Sequence, residues 1–325
     1  MKKSYEIDMC NGPLLGKILV FSIPLMLSGI LQLLFNAADI IVVGRFAGST
    51  ALAAVGSTAS LINLMINVFV GLSVGVNVLA ARYYGAQKEK DIQDTVHTAI
   101  MMAILSGLFL VVLGESASKP MLTLMGTPDD VLDQAALYLR IYFFGMPVLM
   151  IYNFGAALLR AVGDTRRPLY FLFAAGAVNV VLNLFFVIQL GMGVDGVAWA
   201  TVISECVSAG LIIRSLMKEN GAMKLHLTKL RIVSGKLTQI VRVGLPAGMQ
   251  GAIFSISNVL IQSSVNSFGS IAMAGNTASS NIEGFVYTAM NAVYQTSLSF
   301  TSQNLGGEKF SRIDKIKISV LELLL

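Results

Sequence analysis

The sequence predicts an all-α polytopic membrane protein: a complete six-helix N-terminal lobe, followed by the first two to three helices of a second lobe that repeats it in parallel. Three observations predict this: apolar runs of bilayer length, basic residues concentrated in alternate loops, and internal similarity at an offset of 222 residues. Apolar residues make up 55% of the chain and charged residues only 13%, against about 25% charged in an ordinary soluble domain. The surplus apolar surface must face lipid. A membrane helix needs roughly 20 mostly apolar residues, because lipid offers backbone amides and carbonyls no partner outside the helix. Eight complete segments meet that need, at 18–43, 51–81, 95–113, 135–159, 169–190, 194–216, 240–265 and 272–302, and a ninth begins near Ile316.

Lys and Arg are retained on the cytoplasmic side of a membrane. Twenty of the 23 basic residues fall in the N-terminal tail (Lys2, Lys3, Lys17) and the second, fourth, sixth and eighth loops. Arg45, Lys119 and Arg140 lie at the opposite ends. The N-terminus is therefore expected in the cytoplasm of a bacterium, with the chain in its inner membrane. Residues 1–16 mix both charge signs, unlike a cleaved signal, and are expected to remain. Cys10 and Cys206 are too few and too far apart for a disulfide framework or a metal cluster. The net charge of +5 is written in short loops without aromatic interleaving, so nucleic acid is not an expected partner. An enzyme is equally unsupported, since His97 and His226 lie near or in a loop, no HExxH or GxSxG occurs, and Asp129 with Asp130 falls in an outer loop.

The repeat fixes the domain reading. At the offset of 222 the pairs Pro24/Pro246, Gly29/Gly251, Asn36/Asn258 and Phe46/Phe268 are identical. After a one-residue slip so are Gly48/Gly269, Ser49/Ser270, Ala51/Ala272, Ala53/Ala274, Gly85/Gly306 and Lys88/Lys309. The two prolines lie six segments apart, an even number, so both copies enter the bilayer in the same direction, as in transporters that rock two bundles about a central site. The divisions are 1–217 for the first lobe, 218–239 for a basic interlobe linker, and 240–325 for an incomplete second lobe, about four helices short of a full copy. Pro24 and Pro246 each remove a helical hydrogen bond and are expected to bend their helices where the lobes hinge. The Gly71, Gly75 pair has GxxxG spacing, suited to close packing within the lobe or to dimerisation.

A carboxylate at bilayer depth costs on the order of 3 kcal/mol and normally faces a cavity or a partner. Three are deep: Asp39 in the first segment, Glu205 in the sixth and Glu283 in the eighth. Asn36 precedes Asp39 by three positions on the same helical face, and its repeat partner is Asn258. Asn179 and Asn183 share one face of the fifth segment, either as ligands or as interhelical glue. Arg45 and Arg140 suit interfacial anchoring. Sixteen methionines, with aromatics such as Phe35 and Tyr287, could line an adaptable pocket or simply fill the core.

Five stretches in order, SIPLMLSGILQLLFNAADIIVVGRFAG, ARYYGAQ, LLRAVGDTRRP, GVDGVAWATVISE and TSQNLGGEK, resemble the multidrug and toxic compound extrusion (MATE) family over essentially the whole chain. The resemblance implies two six-helix lobes around a V-shaped cavity. It also implies export of cationic, often lipophilic small molecules, driven by inward H+ or Na+ and without a cofactor. In proton-coupled relatives the aspartate matching Asp39 belongs to the proton site. The family often has an aspartate where this chain has Asn183, which leaves sodium open because amide oxygens are hard ligands. Members also place acids in helices seven and ten, and the seventh segment here has none. The expected mechanism is alternating access by a monomer in membrane lipid, with ion and substrate competing for Asp39 and Glu283. The alternatives are a lipid-linked-precursor flippase of the same superfamily, whose phosphate cargo wants a basic cavity, an inactive shortened fragment, and a channel.

Overall fold

Among the described residues of a computed structural model, ten α-helices lie between Leu14 and Leu324. The structure describes residues 5–266 and 270–324, without the side chains at 60, 259, 262–263, 265–266, 270–278, 280–281 and 324. The repeat identities at Phe268 and Gly269, and the basic residues Lys2 and Lys3, lie outside the described residues. In order the helices are α1 (Leu14–Val42), α2 (Ser49–Gly85), α3 (Glu89–Leu124), α4 (Asp129–Phe144), α5 (Met146–Ala161), α6 (Arg166–Leu184), α7 (Val194–Lys218), α8 (Ser234–Asn266), α9 (Ser270–Gly306) and α10 (Phe310–Leu324). Wider π turns extend α1 through Val43–Ala47 and α6 through Phe185–Gln189. At 37 and 36 residues, α2 and α3 run to about 55 Å, well beyond a hydrocarbon core of about 30 Å.

Six of these helices are long and apolar enough to cross a membrane, and the α4–α5 pair, bent by 49°, makes a seventh. The segment read over 135–159 is this bent pair. Pro147 follows Gly145 closely, so the chain restarts there without one backbone donor. Asp129 and Asp130, read as loop, form the first turn of α4, where negative charge suits the helix dipole. The eighth segment read from sequence coincides with α9. Its opening stretch, SIAMAGNTASSNIEG, is diluted by small polar residues. The helix is continuous through Pro24 in α1 and through Pro246 in α8. Pro24 is buried and its carbonyl accepts the Ser28 hydroxyl at 2.8 Å, whereas Pro246 is exposed.

The main core lies among α2, α3, α4, α5 and α7, around Phe143, Met146, Met150 and Phe154. A smaller core joins the N-terminal segment, α1, α9 and α10 through Met9, Ile18, Phe21, Phe300, Ile316 and Val320. The Phe21 and Phe300 rings meet edge to face at 5.6 Å.

Contacts across the repeat are reciprocal. A Cβ on Gly85 would strike the Gln303 carbonyl, and one on Gly306 would strike the Arg82 carbonyl, its repeat counterpart. Gly29 of α1 abuts Thr288 of α9; correspondingly, Gly251 of α8 abuts Asn67 of α2. Gln87 and Glu308 adopt the same left-handed turn, with φ of 54° and 57°. The Gly71, Gly75 pair packs backbone to backbone on Gly244 and Gly248 of α8. It therefore serves contact between the two copies, not packing inside the first one.

Candidate functional site

The deep polar groups of the first copy converge where α1, α6, α7 and α4 meet. α1 reaches α6 closely because Gly176 has no side chain: a Cβ there would overlap the Phe35 ring. Phe35 is thus a packing residue rather than a cation-facing one. One turn later on α1, Asp39 accepts a hydrogen bond from the Asn183 amide. The same Asn183 nitrogen donates to Asn179 Oδ1 at 3.1 Å, and Asn179 Nδ2 approaches Thr201 Oγ1 at 3.4 Å. Thr201 donates to the Val197 carbonyl at 3.0 Å, leaving its lone pairs directed away from its own helix.

Asn179 and Asn183 are 5% and 0% exposed, which a polar side chain in apolar surroundings tolerates only when hydrogen-bonded. Asn183 Oδ1 is buried with no hydrogen-bond partner. The cluster therefore holds one carboxylate, two amide oxygens and one hydroxyl oxygen, of which at least one oxygen is unsatisfied. Oxygens of that kind suit a small hard cation, and a carboxylate beside amide donors can equally take a proton.

Glu205 follows Thr201 by one turn on the same face of α7. It is half-buried and sits beside Gly145 at the α4–α5 bend, where an added Cβ would approach its Oε2 to 3.3 Å. The Tyr138 and Tyr142 rings of α4, the helix packed against α7, stack at 6.0 Å. Of the residues singled out from sequence, Asp39, Asn179 and Asn183 come together and Glu205 borders them. Asn36 is exposed on α1 and does not share the inward face of Asp39. Asn258 and Glu283 are exposed on α8 and α9. Glu283 lies one turn before Tyr287, whose ring stacks on Phe254 at 5.8 Å. Arg45, in the π turn that closes α1, lies over the Phe46 ring at 5.9 Å, and Arg140 of α4 pairs with Glu115 of α3 at 3.7 Å.

Sequence reading missed Thr201, Tyr138 and Tyr142. Thr201 was reachable, since it precedes Glu205 by four positions, but a hydroxyl carries no signal of its own in an apolar run. It also missed the clasp that sets the start of α6. Asp164, fully buried, accepts both the Arg166 and Arg167 backbone amides at 3.0 Å. Arg167 then bridges Asp164 to Glu219 and to Ser215 Oγ at the end of α7. The GDTRRP stretch is thus a helix-start clamp that fixes α6 against α7, and with it the spacing of Asn179 from Thr201.

A family model described as MatE matches residues 24–185, which contain Asp39, Asn179 and Asn183. The probable multidrug resistance protein YoeA of Bacillus subtilis is 30% identical over 91% of this chain and 66% of its own length. A protein of Shewanella oneidensis named FAD transporter is 25% identical over 98% of this chain and 71% of its own. The crystal structure of MATE in the bent conformation superposes with a TM-score of 0.87 at 25% identity, covering 94% of this chain and 69% of that one. The chain thus spans about two-thirds of the length of the curated relatives it matches. Members of this family are multi-pass membrane transporters and not enzymes. With its helix order, its spans and this match in agreement, the chain belongs to the multidrug and toxic compound extrusion family.

Proposed function

We propose that the protein is a secondary active transporter that exports cationic or lipophilic small molecules in exchange for Na+ or H+. The N-terminus faces the cytoplasm, as the 20 basic residues in alternate loops require. The observation that carries the reading is the deep carboxylate of Asp39 beside the unsatisfied Asn183 Oδ1. An ion reaching Asp39 replaces the Asn183 N–H at the carboxylate and gains the amide and Thr201 oxygens. Neutralising that charge weakens the cavity's hold on a cationic substrate, and two bundles rocking about the cavity turn this competition into exchange. Sodium is the ion favoured here, because the Asn183 amide oxygen and the Thr201 hydroxyl oxygen add hard ligands to the carboxylate; a proton on Asp39 would instead offer the Asn183 oxygen an O–H donor, and the two imposed gradients separate these cases.

The test is dye efflux from cells or vesicles holding the protein, driven by an imposed sodium gradient or an imposed pH gradient. Efflux is expected to follow the sodium gradient, and Asp39→Asn is expected to abolish it without lowering the amount of protein in the membrane. Efflux unchanged in Asp39→Asn would show that the first-bundle cluster does not couple transport. Since one relative is named for FAD, an anionic flavin belongs among the tested cargoes, and its export in place of cationic dyes would overturn the substrate assignment.

A further inference from the structure

The segment between α7 and α8 runs back over the first turns of α3 and is held there along one face of that helix. Arg231 pairs with Asp94 at 2.7 Å, and Lys236 pairs with Asp91 at 2.6 Å while lying 3.8 Å from the centre of the Tyr83 ring. The Thr98 hydroxyl accepts the Val233 backbone N–H at 3.2 Å, and His97 Nε2 accepts that of His226 at 3.3 Å. Positions 91, 94, 97 and 98 share one stripe of a helix, so four contacts form a single docking track.

His97 differs from the others in being a switchable acceptor. It is 3% exposed, and its Nδ1 lies 2.7 Å from the Gln93 carbonyl. A carbonyl can only accept, so Nδ1 carries a proton; an amide N–H can only donate, so Nε2 must keep its lone pair. One state satisfies both bonds, the neutral Nδ1–H tautomer. A proton on Nε2 would set two donors face to face. The His226 ring lies parallel to that of His97 at 6.3 Å, and partial desolvation, Lys229, Lys224 and His97 hold His226 below the ordinary histidine range. Along the docking track the charged or titratable groups beside His97 and His226 are Asp91 and Asp94 of α3, Arg231 of the segment, Lys236 of α8 and Tyr83 of α2.

We propose that His97 is a pH-sensitive latch for the segment joining α7 to α8, which stays docked on α3 while the imidazole is neutral and is released when it is protonated. Docking that needs a lone pair on Nε2 competes with protonation of that nitrogen, so acid weakens it. Release lengthens the free tether between the two halves of the molecule, which makes acidification on that side of the membrane a control on their relative motion. The inference does not depend on the transport reading.

Amide hydrogen exchange in the protein held in lipid nanodiscs tests it, with rates corrected for the intrinsic effect of pH on exchange. Protection of the His226 and Val233 amides is expected to be roughly tenfold lower at about pH 5.5 than at about pH 8. In His97→Gln, whose side-chain oxygen accepts at either pH, protection should differ by less than about twofold. In His97→Phe, which keeps the ring shape and loses the acceptor, it should be low at both. His226→Phe should retain the pH response, because only the backbone of that residue is held. Protection that ignores pH in the unmodified protein, or a response that survives His97→Gln, or one that disappears in His226→Phe, would overturn the latch.

Discussion

At residue scale the site is a single acid supported by neutral oxygens. Asn183 donates to Asp39 and Asn179 through one nitrogen, so an aspartate at 183 would turn a donor into a second carboxylate next to Asp39. Two carboxylates at such a distance cannot both ionise easily, and one is held protonated toward neutral pH. Asn183→Asp is therefore expected to shift coupling from sodium toward protons. Efflux should then follow a pH gradient with sodium absent; no gain of such efflux would show that the amide is not what selects the ion. Thr201→Val keeps the volume and deletes one oxygen. It is expected to raise the sodium concentration for half-maximal efflux by about three- to tenfold, the range of one lost hydrogen-bonding partner, with little change in the maximal rate.

At the scale of elements, the two seams between the copies are unequal. The α2–α8 seam brings Gly71 and Gly75 against Gly244 and Gly248, with backbone touching backbone. The equivalent positions at the α1–α9 seam are Ser22, Met26, Ala292 and Thr296. Gly248→Leu must push α8 away from Val68 and is expected to destabilise by about 1–3 kcal/mol, read as a lower Tm in detergent. Met26→Leu at the matching position of the other seam conserves volume and should leave Tm nearly unchanged. Equal effects at both sites would mean that the glycines are incidental. Much of this arrangement was legible in the sequence, because lipid makes each span announce itself through twenty or so apolar residues, and because Pro24, Gly29 and Gly85 recur at the repeat spacing. What the glycines touch was not legible: GxxxG spacing reports that a helix can be approached closely, and the partner is chosen by the fold. For the same reason Asp39, Asn179 and Asn183 stood out as polar groups too deep for lipid, while Thr201 did not. Glu283 and Asn258 stood out by depth too, and both are exposed on α9 and α8.

On the scale of the whole molecule, the N-terminal segment ties the two copies together on one side of the bilayer. The Ile7 backbone lies against Gly163, whose φ of +92° and lack of a side chain admit it at the end of α5. Met9 is fully buried in the smaller core, and its carbonyl accepts Asn304 Nδ2 at 3.0 Å and Arg312 Nε at 3.3 Å. Arg312 also donates to the Asn11 and Gly12 carbonyls at 3.1 and 2.8 Å, and Lys309 donates to that of Cys10 at 3.1 Å. A strap bound to α5 on one side and to α9 and α10 on the other cannot stay in place if the halves separate there. Cys10 reports on it directly, because burial pushes its thiol above the usual range and alkylation follows the thiolate fraction and access. In a Cys206→Ser background, the double substitution of Asn304 and Arg312 by alanine is expected to speed maleimide labelling of Cys10 by several-fold at about pH 8, as the thiol returns toward its ordinary acidity and the segment lifts. Substrate or sodium should change the labelling rate of the unsubstituted strap if its release accompanies transport. Labelling that is already fast, and indifferent to both the substitutions and the ligands, would mean the strap does not hold the two copies closed.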